Sequence, residues 1–138
     1  MEGIEYDIDT IDAAAQMLLQ RLGSAKKVAI YGAMGAGKTT LVRALCQVLG
    51  IRENVSSPTF AIVNEYSLQN SQSLVYHFDL YRLKSLQEII DIDVENYLGD
   101  DNYCFVEWPE LLEPLLPPDA VRIKLEFIDS SRRKILLL

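Results

Sequence analysis

Apolar and polar positions follow two periods along the chain, and each change of period marks an element. Ile4 to Ile8 alternates as a short strand does. Asp9 and Thr10 stand where a helix cap belongs. Ile11, Ala15, Leu18 and Leu22 then recur on one face of a helix that Gly23 stops. Lys27 to Tyr31 is a short apolar run suited to a buried parallel strand. A glycine-rich turn follows. The next helix carries Leu41, Ala44, Leu45, Val48 and Leu49 on one face and ends at Gly50.

Ser56-Ser57-Pro58 breaks this rhythm. Thr59 to Tyr66 and Ser73 to Phe78 read as two strands, and the short polar turn Gln69-Asn70-Ser71-Gln72 makes them an antiparallel hairpin. Leu86 to Leu98 is helical, in one piece or two. Asn102 to Glu107 is another apolar strand. Pro109 opens a short helix containing Leu111, Leu112 and Leu115, and Pro117-Pro118 closes it. Val121 to Ile128 alternates again, and Lys134 to Leu138 makes a last strand. The expected fold class is α/β: one domain over residues 1–138, with a mixed central β-sheet flanked by helices.

Composition adds exclusions. Hydrophobic residues make up 49% of the 138, enough for a core and against disorder. No run approaches the roughly 20 apolar residues of a membrane span. The acidic start lacks the build of a signal peptide. With Cys46 and Cys104 reading as reduced core thiols, a cytoplasmic location is expected, with no membrane partner. The net charge of −7 argues against a chain that grips nucleic acid through its own field.

The chemistry concentrates in Gly32-Ala33-Met34-Gly35-Ala36-Gly37-Lys38-Thr39. It fits the G-x-x-x-x-G-K-[ST] phosphate-loop pattern, directly after a strand and before a helix. Glycines let successive backbone N–H groups curl inward around phosphate oxygens, and the helix N-terminus adds its positive dipole end. Candidate nucleotide contacts are therefore Gly32, Gly35, Ala36, Gly37, Lys38, Thr39 and Thr40. Lys38 reaches the β- and γ-phosphates as a candidate catalytic cation, and the Thr39 hydroxyl suits Mg²⁺. None of the six lysines begins the Lys-x-Asp element that reads guanine, so ATP is the expected nucleotide.

A Mg²⁺ shell at such a loop also takes an acid from the end of a neighbouring strand. Asp79 and Glu107 are the two candidates. Glu107 follows the unbroken apolar run Tyr103 to Val106, while Asp79 sits on the hairpin, where it could hold a metal-bound water or orient the attacking one. Ser57-Pro58-Thr59-Phe60 is either an ordinary proline turn or a switch-like segment with Thr59 sensing the γ-phosphate. His77, the single histidine, reads as structural rather than as a base. Trp108 reads as core, as a nucleotide cover or as a contact surface. Ser131-Arg132-Arg133-Lys134 reads as a charged turn before an edge strand, with an arginine in reach of phosphate or base as the functional option.

Taken together, Gly35 to Thr40, Ser57-Pro58-Thr59-Phe60, Tyr76-His77-Phe78-Asp79-Leu80-Tyr81-Arg82-Leu83 and Val106-Glu107-Trp108-Pro109-Glu110 resemble the TsaE (YjeE) family over nearly the whole chain. The resemblance implies a small P-loop fold and ATP and Mg²⁺ binding, with Thr39 and Glu107 as metal ligands. It implies a switch role for Ser57 to Phe60, roles in activity or partner contact for Asp79, Tyr81, Arg82 and Trp108, and a place near the nucleotide for Arg133. It further implies a weak ATPase that supports threonylcarbamoyladenosine modification of tRNA in a complex with TsaB and TsaD, which would handle the tRNA. One departure is Ala33-Met34, where many members carry Asp or Asn then Leu.

Two other readings stand beside this one. A small-molecule P-loop kinase would need an arginine lid and an acceptor pocket, for which the chain is short. A non-hydrolysing nucleotide-dependent binding module fits the lack of an obvious general base, although positioning of water suffices for hydrolysis.

Overall fold

The structure is a computed structural model that describes residues 3–58, 62–68 and 72–138. In chain order it runs β1 (Gly3–Tyr6), α1 (Ile11–Leu22), β2 (Lys27–Tyr31), α2 (Lys38–Leu49), β3 (Val63–Ser67), β4 (Leu74–Asp79), α3 (Leu86–Asp91), α4 (Val94–Gly99), β5 (Tyr103–Glu107), a 3₁₀ turn (Glu110–Leu115), β6 (Val121–Phe127) and β7 (Arg133–Leu137). Seven strands form one mixed sheet in the order β1-β7-β6-β2-β5-β4-β3. β2 lies parallel to β5 and β6, and β4 lies parallel to β5. The β3–β4, β6–β7 and β1–β7 pairs are antiparallel.

Period-2 alternation divides the central strands between two cores. Val75 and Phe105 face α1 and α2 with Val28, Ile30, Leu18, Leu41 and Leu45. Tyr76, Phe78, Cys104 and Val106 face the other way, onto Ile89, Val94, Leu98 and Leu112. Strands apolar on both faces must be covered on both, so helices flank the sheet on each side. No helix among the described residues is long and apolar enough to cross a membrane. Cys46 and Cys104 are buried free thiols.

Several boundaries move for local reasons. β1 stops at Tyr6 rather than Ile8, because Asp7 Oδ1 accepts from the amides of Asp9 and Thr10 at 2.9 and 3.0 Å and turns the chain. Ile8 is left 73% exposed. Thr10 occupies the N-cap of α1, yet its hydroxyl turns back to accept from the Asp7 amide at 2.9 Å instead of capping. The helical stretch after Leu86 divides at Asp93, whose φ is 62°. The Ser85 hydroxyl caps its first half by accepting from the Glu88 amide at 3.3 Å. Residues 69–71 of the hairpin turn and residues 59–61 ahead of β3 lie outside the described residues. The basic cluster does not precede an edge strand. β1 adds outside β7 in the register Tyr6–Arg133, so β7 is interior.

Candidate nucleotide site

Because β2, β4 and β5 are parallel, their C-terminal ends open onto one edge of the sheet, the usual ligand crevice of α/β folds. The register pairs Asp79 with Glu107, and Glu107 with Ile30. The strand-end acids and the loop that leaves β2 thus meet at one place.

The loop bends as its glycines allow. Gly35 and Gly37 have φ of 79° and 97°, a region unfavourable for other residues. A Cβ on Gly32 would stand 3.2 Å from the Leu125 carbonyl oxygen, so close packing against β6 also demands glycine. Lys38 and Thr39 open α2 immediately afterwards.

Lys38 is buried, with 5% exposure. Its Nζ donates to the carbonyls of Gly32 and Ala33 at 2.5 and 3.2 Å, and lies 3.7 Å from the centroid of the Trp108 ring. Burial pushes the ammonium below its ordinary pKa, while the charges of Glu107, Glu110 and Asp79 pull it back up. Trp108 takes up this position with φ of 55°, an unusual conformation for an aromatic residue. The Tyr81 ring packs edge-on against it at 5.0 Å.

Thr39 joins the loop to the end of β5. Its hydroxyl donates to both Glu107 carboxylate oxygens, at 3.0 and 2.8 Å, and lies 2.8 Å from the Ser57 hydroxyl. A hydroxyl has one proton, so with the carboxylate as acceptor it is Ser57 that donates to Thr39. Glu107 is 3% exposed, and its Oε2 also meets His77 Nε2 at 2.6 Å. Of the two candidate acids, Glu107 therefore meets Thr39. Asp79 stands at the rim, its Oδ1 accepting from the Tyr81 amide at 3.0 Å.

These groups surround a cleft of about 710 Å³. Its wall includes Gly35, Ala36, Gly37, Lys38, Thr39, Thr40, Ser57, Asp79, Tyr81, Arg82, Glu107 and Trp108. Met34, one of the two departures in the loop, stands 66% exposed at its mouth. Arg133 lies behind the loop, where its Nε donates to the Ala36 carbonyl at 3.1 Å and its NH1 to the Asp129 carbonyl at 2.9 Å. With Gly37, Thr40 and Tyr6 it lines a second cavity of about 440 Å³. Thr59 and Phe60 lie outside the described residues.

Sequence reasoning missed the bond from His77 to Glu107. The available signal was that His77 and Asp79 share a strand face by period 2. Which strand lies alongside was not written locally.

Three oxygen-bearing side chains converge here, Thr39, Ser57 and Glu107, with an ammonium and a helix N-terminus beside them. Hard oxygen donors of this kind suit Mg²⁺ rather than a soft metal, and the loop amides suit an anion. The donor set and the loop thus fit a magnesium–phosphate ligand. Among the described residues, no group of three or more His, Cys, Asp or Glu side chains offers an all-protein metal cage.

The comparisons agree with this geometry. The family model described as threonylcarbamoyl adenosine biosynthesis protein TsaE matches residues 6–135. A tRNA threonylcarbamoyladenosine biosynthesis protein TsaE from Haemophilus influenzae is 36% identical over 117 residues, covering 83% of this chain and 73% of the relative. The protein of the same name from Synechocystis is 40% identical over 120 residues, covering 85% and 74%. The crystal structure of YdiB from Bacillus subtilis superposes with a TM-score of 0.70 at 26% identity, covering 99% of this chain and 84% of that one. With nearly its whole length matched, and with the loop and the strand-end acid meeting in one cleft, this chain belongs to the TsaE family.

Proposed function

We propose that residues 1–138 act as one P-loop ATPase domain that binds ATP with Mg²⁺ and hydrolyses it slowly, in support of threonylcarbamoyladenosine formation on tRNA in the cytoplasm. The contact between Thr39 and Glu107 carries this reading, because it joins the phosphate loop to an acid 68 residues away in a cleft large enough for a nucleotide. Gly32, Gly35, Ala36, Gly37 and Thr40 form the phosphate cradle with Lys38, and Arg133 lies close to the nucleotide. Thr39 and Glu107 would hold Mg²⁺, which when bound neutralises charge on the β- and γ-phosphate oxygens. Asp79 holds a metal-bound water or orients the attacking one, and Thr59 senses the γ-phosphate. The acidic chain leaves the tRNA to its partners, TsaB and TsaD, as its charge of −7 suggests.

The test is phosphate release from ATP, measured with this chain alone and with TsaB and TsaD. Slow release that rises with the partners is expected. A phosphorylated small molecule in place of free phosphate would establish a kinase. Binding without turnover under all of these conditions would establish a nucleotide-dependent binding module.

A further inference from the structure

His77 is fully buried, with 0% exposure, on the middle strand of three. In register it stands opposite Phe105 on one side and Asn64 on the other. Among the described residues its one polar contact is Nε2 to Glu107 Oε2 at 2.6 Å, and Nδ1 has no partner. Only Nε2 is therefore engaged. With the carboxylate as acceptor, Nε2 is the donor in this bond.

The geometry limits what this ring can do. The cleft wall includes Glu107 but not His77, so the imidazole lies behind the carboxylate as seen from the cleft. It does not reach a substrate and does not serve as a general base there. Nor does it sit in a set of three or more metal-binding side chains among the described residues. What it controls is Glu107 itself. That carboxylate ends a flexible side chain; its Oε2 meets both the Thr39 hydroxyl and His77 Nε2, and its Oε1 also accepts from Thr39. Two donors fixed on different elements, α2 and β4, stop its rotation and keep it aimed at the Thr39 hydroxyl.

We infer that His77 is a positioning residue: its Nε2–H holds the Glu107 carboxylate in the orientation that completes the Mg²⁺ site with Thr39. The inference rests on the proposed ATP–Mg²⁺ reading and deepens it. Removing the partner that orients a ligand typically weakens a metal site about 10- to 100-fold. Among the described residues no hydrogen bond joins His77 to the phosphate loop, and His77 does not line the cleft, so nucleotide affinity without metal should stay as it was.

The test compares H77Q, H77N and H77L with the wild-type chain. A Gln amide nitrogen reproduces the place of Nε2, whereas an Asn amide nitrogen reproduces that of Nδ1. ATP binding is titrated calorimetrically at increasing Mg²⁺ and in its absence. H77L and H77N should need about tenfold more Mg²⁺ for half-maximal effect, with metal-free ATP affinity unchanged. H77Q should stay near wild type. If H77L does not fold, the H77Q and H77N pair carries the comparison. A normal Mg²⁺ midpoint in H77L or H77N, beside a Mg²⁺-dependent wild type, overturns the inference and leaves the ATP reading intact. A wild-type chain that binds no ATP overturns both. In the free protein, ¹⁵N NMR of the ring should show Nε2 protonated, and an unprotonated Nε2 overturns the inference without any ligand present.

Discussion

The Lys38 ammonium rests on the face of Trp108, 3.7 Å from the ring centroid, while it also donates to two loop carbonyls. A cation desolvated to this degree needs such partners, and a phosphate group in the proposed site would replace them with a full negative charge.

Trp108 is the single tryptophan, so its fluorescence reports on Lys38 directly. ATP or ADP should change the emission intensity as the ammonium turns from the ring to phosphate. Lys38→Ala should lose at least about 100-fold in ATP affinity, equivalent to about 3 kcal/mol. Unchanged affinity in that variant, measured by calorimetry, would refute the assignment of the phosphate loop.

Glu107→Ala should remove most of the Mg²⁺ dependence of ATP binding, because the variant keeps the loop and loses the acid. It also leaves the Thr39 hydroxyl and the buried His77 N–H without their acceptor. An unmet buried polar group costs about 1–3 kcal/mol, so thermal unfolding should shift down by several degrees. A variant with wild-type Mg²⁺ dependence would return Asp79 as the ligand.

At the opposite end of the sheet, Asp100 ties β2 to the end of α4. Its carboxylate accepts from Lys27 Nζ at 3.1 Å and from the Tyr76 hydroxyl at 2.6 Å. Burial pushes its pKa up, but the bonds from Tyr76, Asn102 and Lys27 outweigh this and hold it at about 2, against 3.8 ordinarily. A depressed carboxyl stabilises the fold above its unfolded value, and that stability is lost as pH falls from 3.8 toward 2. Asp100→Asn should cost about 1 kcal/mol at neutral pH, reduced by screening at a partly exposed group. The difference from wild type in urea unfolding should shrink across that acid window. A difference that stays constant with pH would rule out the charge as its source.

Burial pushes both thiols, Cys46 and Cys104, up to about 12. Neither should react with an aromatic disulfide reagent at pH 8 in the folded protein, since the thiolate is the reactive form. Both should react once urea unfolds the chain. Release of two equivalents faster than global unfolding would show that a helix face opens locally.

Much of this architecture was legible from local signals. Lys27–Tyr31 is the strand its apolar run indicated, and Gly50 ends α2 with φ of 100°. Glycines and apolar periods act over one or two turns of chain, so they can be read without knowing the neighbours. The start of the chain was less legible. Asp7 captures backbone amides that a simple alternation assigns to a longer strand, and Ile8 points into solvent as a result.

By itself the sequence determined the loop that suits phosphate, the two strand-end acids and a mixed α/β sheet, because each is a property of contiguous residues. Only the tertiary structure decided between the acids. Strand order brings β5 beside β2 and so sets Glu107 against Thr39, while β4 lies one strand further out with Asp79. It also set the contact of His77 with Glu107 and the position of Arg133, which lies against the Ala36 carbonyl from 97 residues away. Those contacts depend on register between distant strands, which the packing of both sheet faces sets and no local pattern encodes.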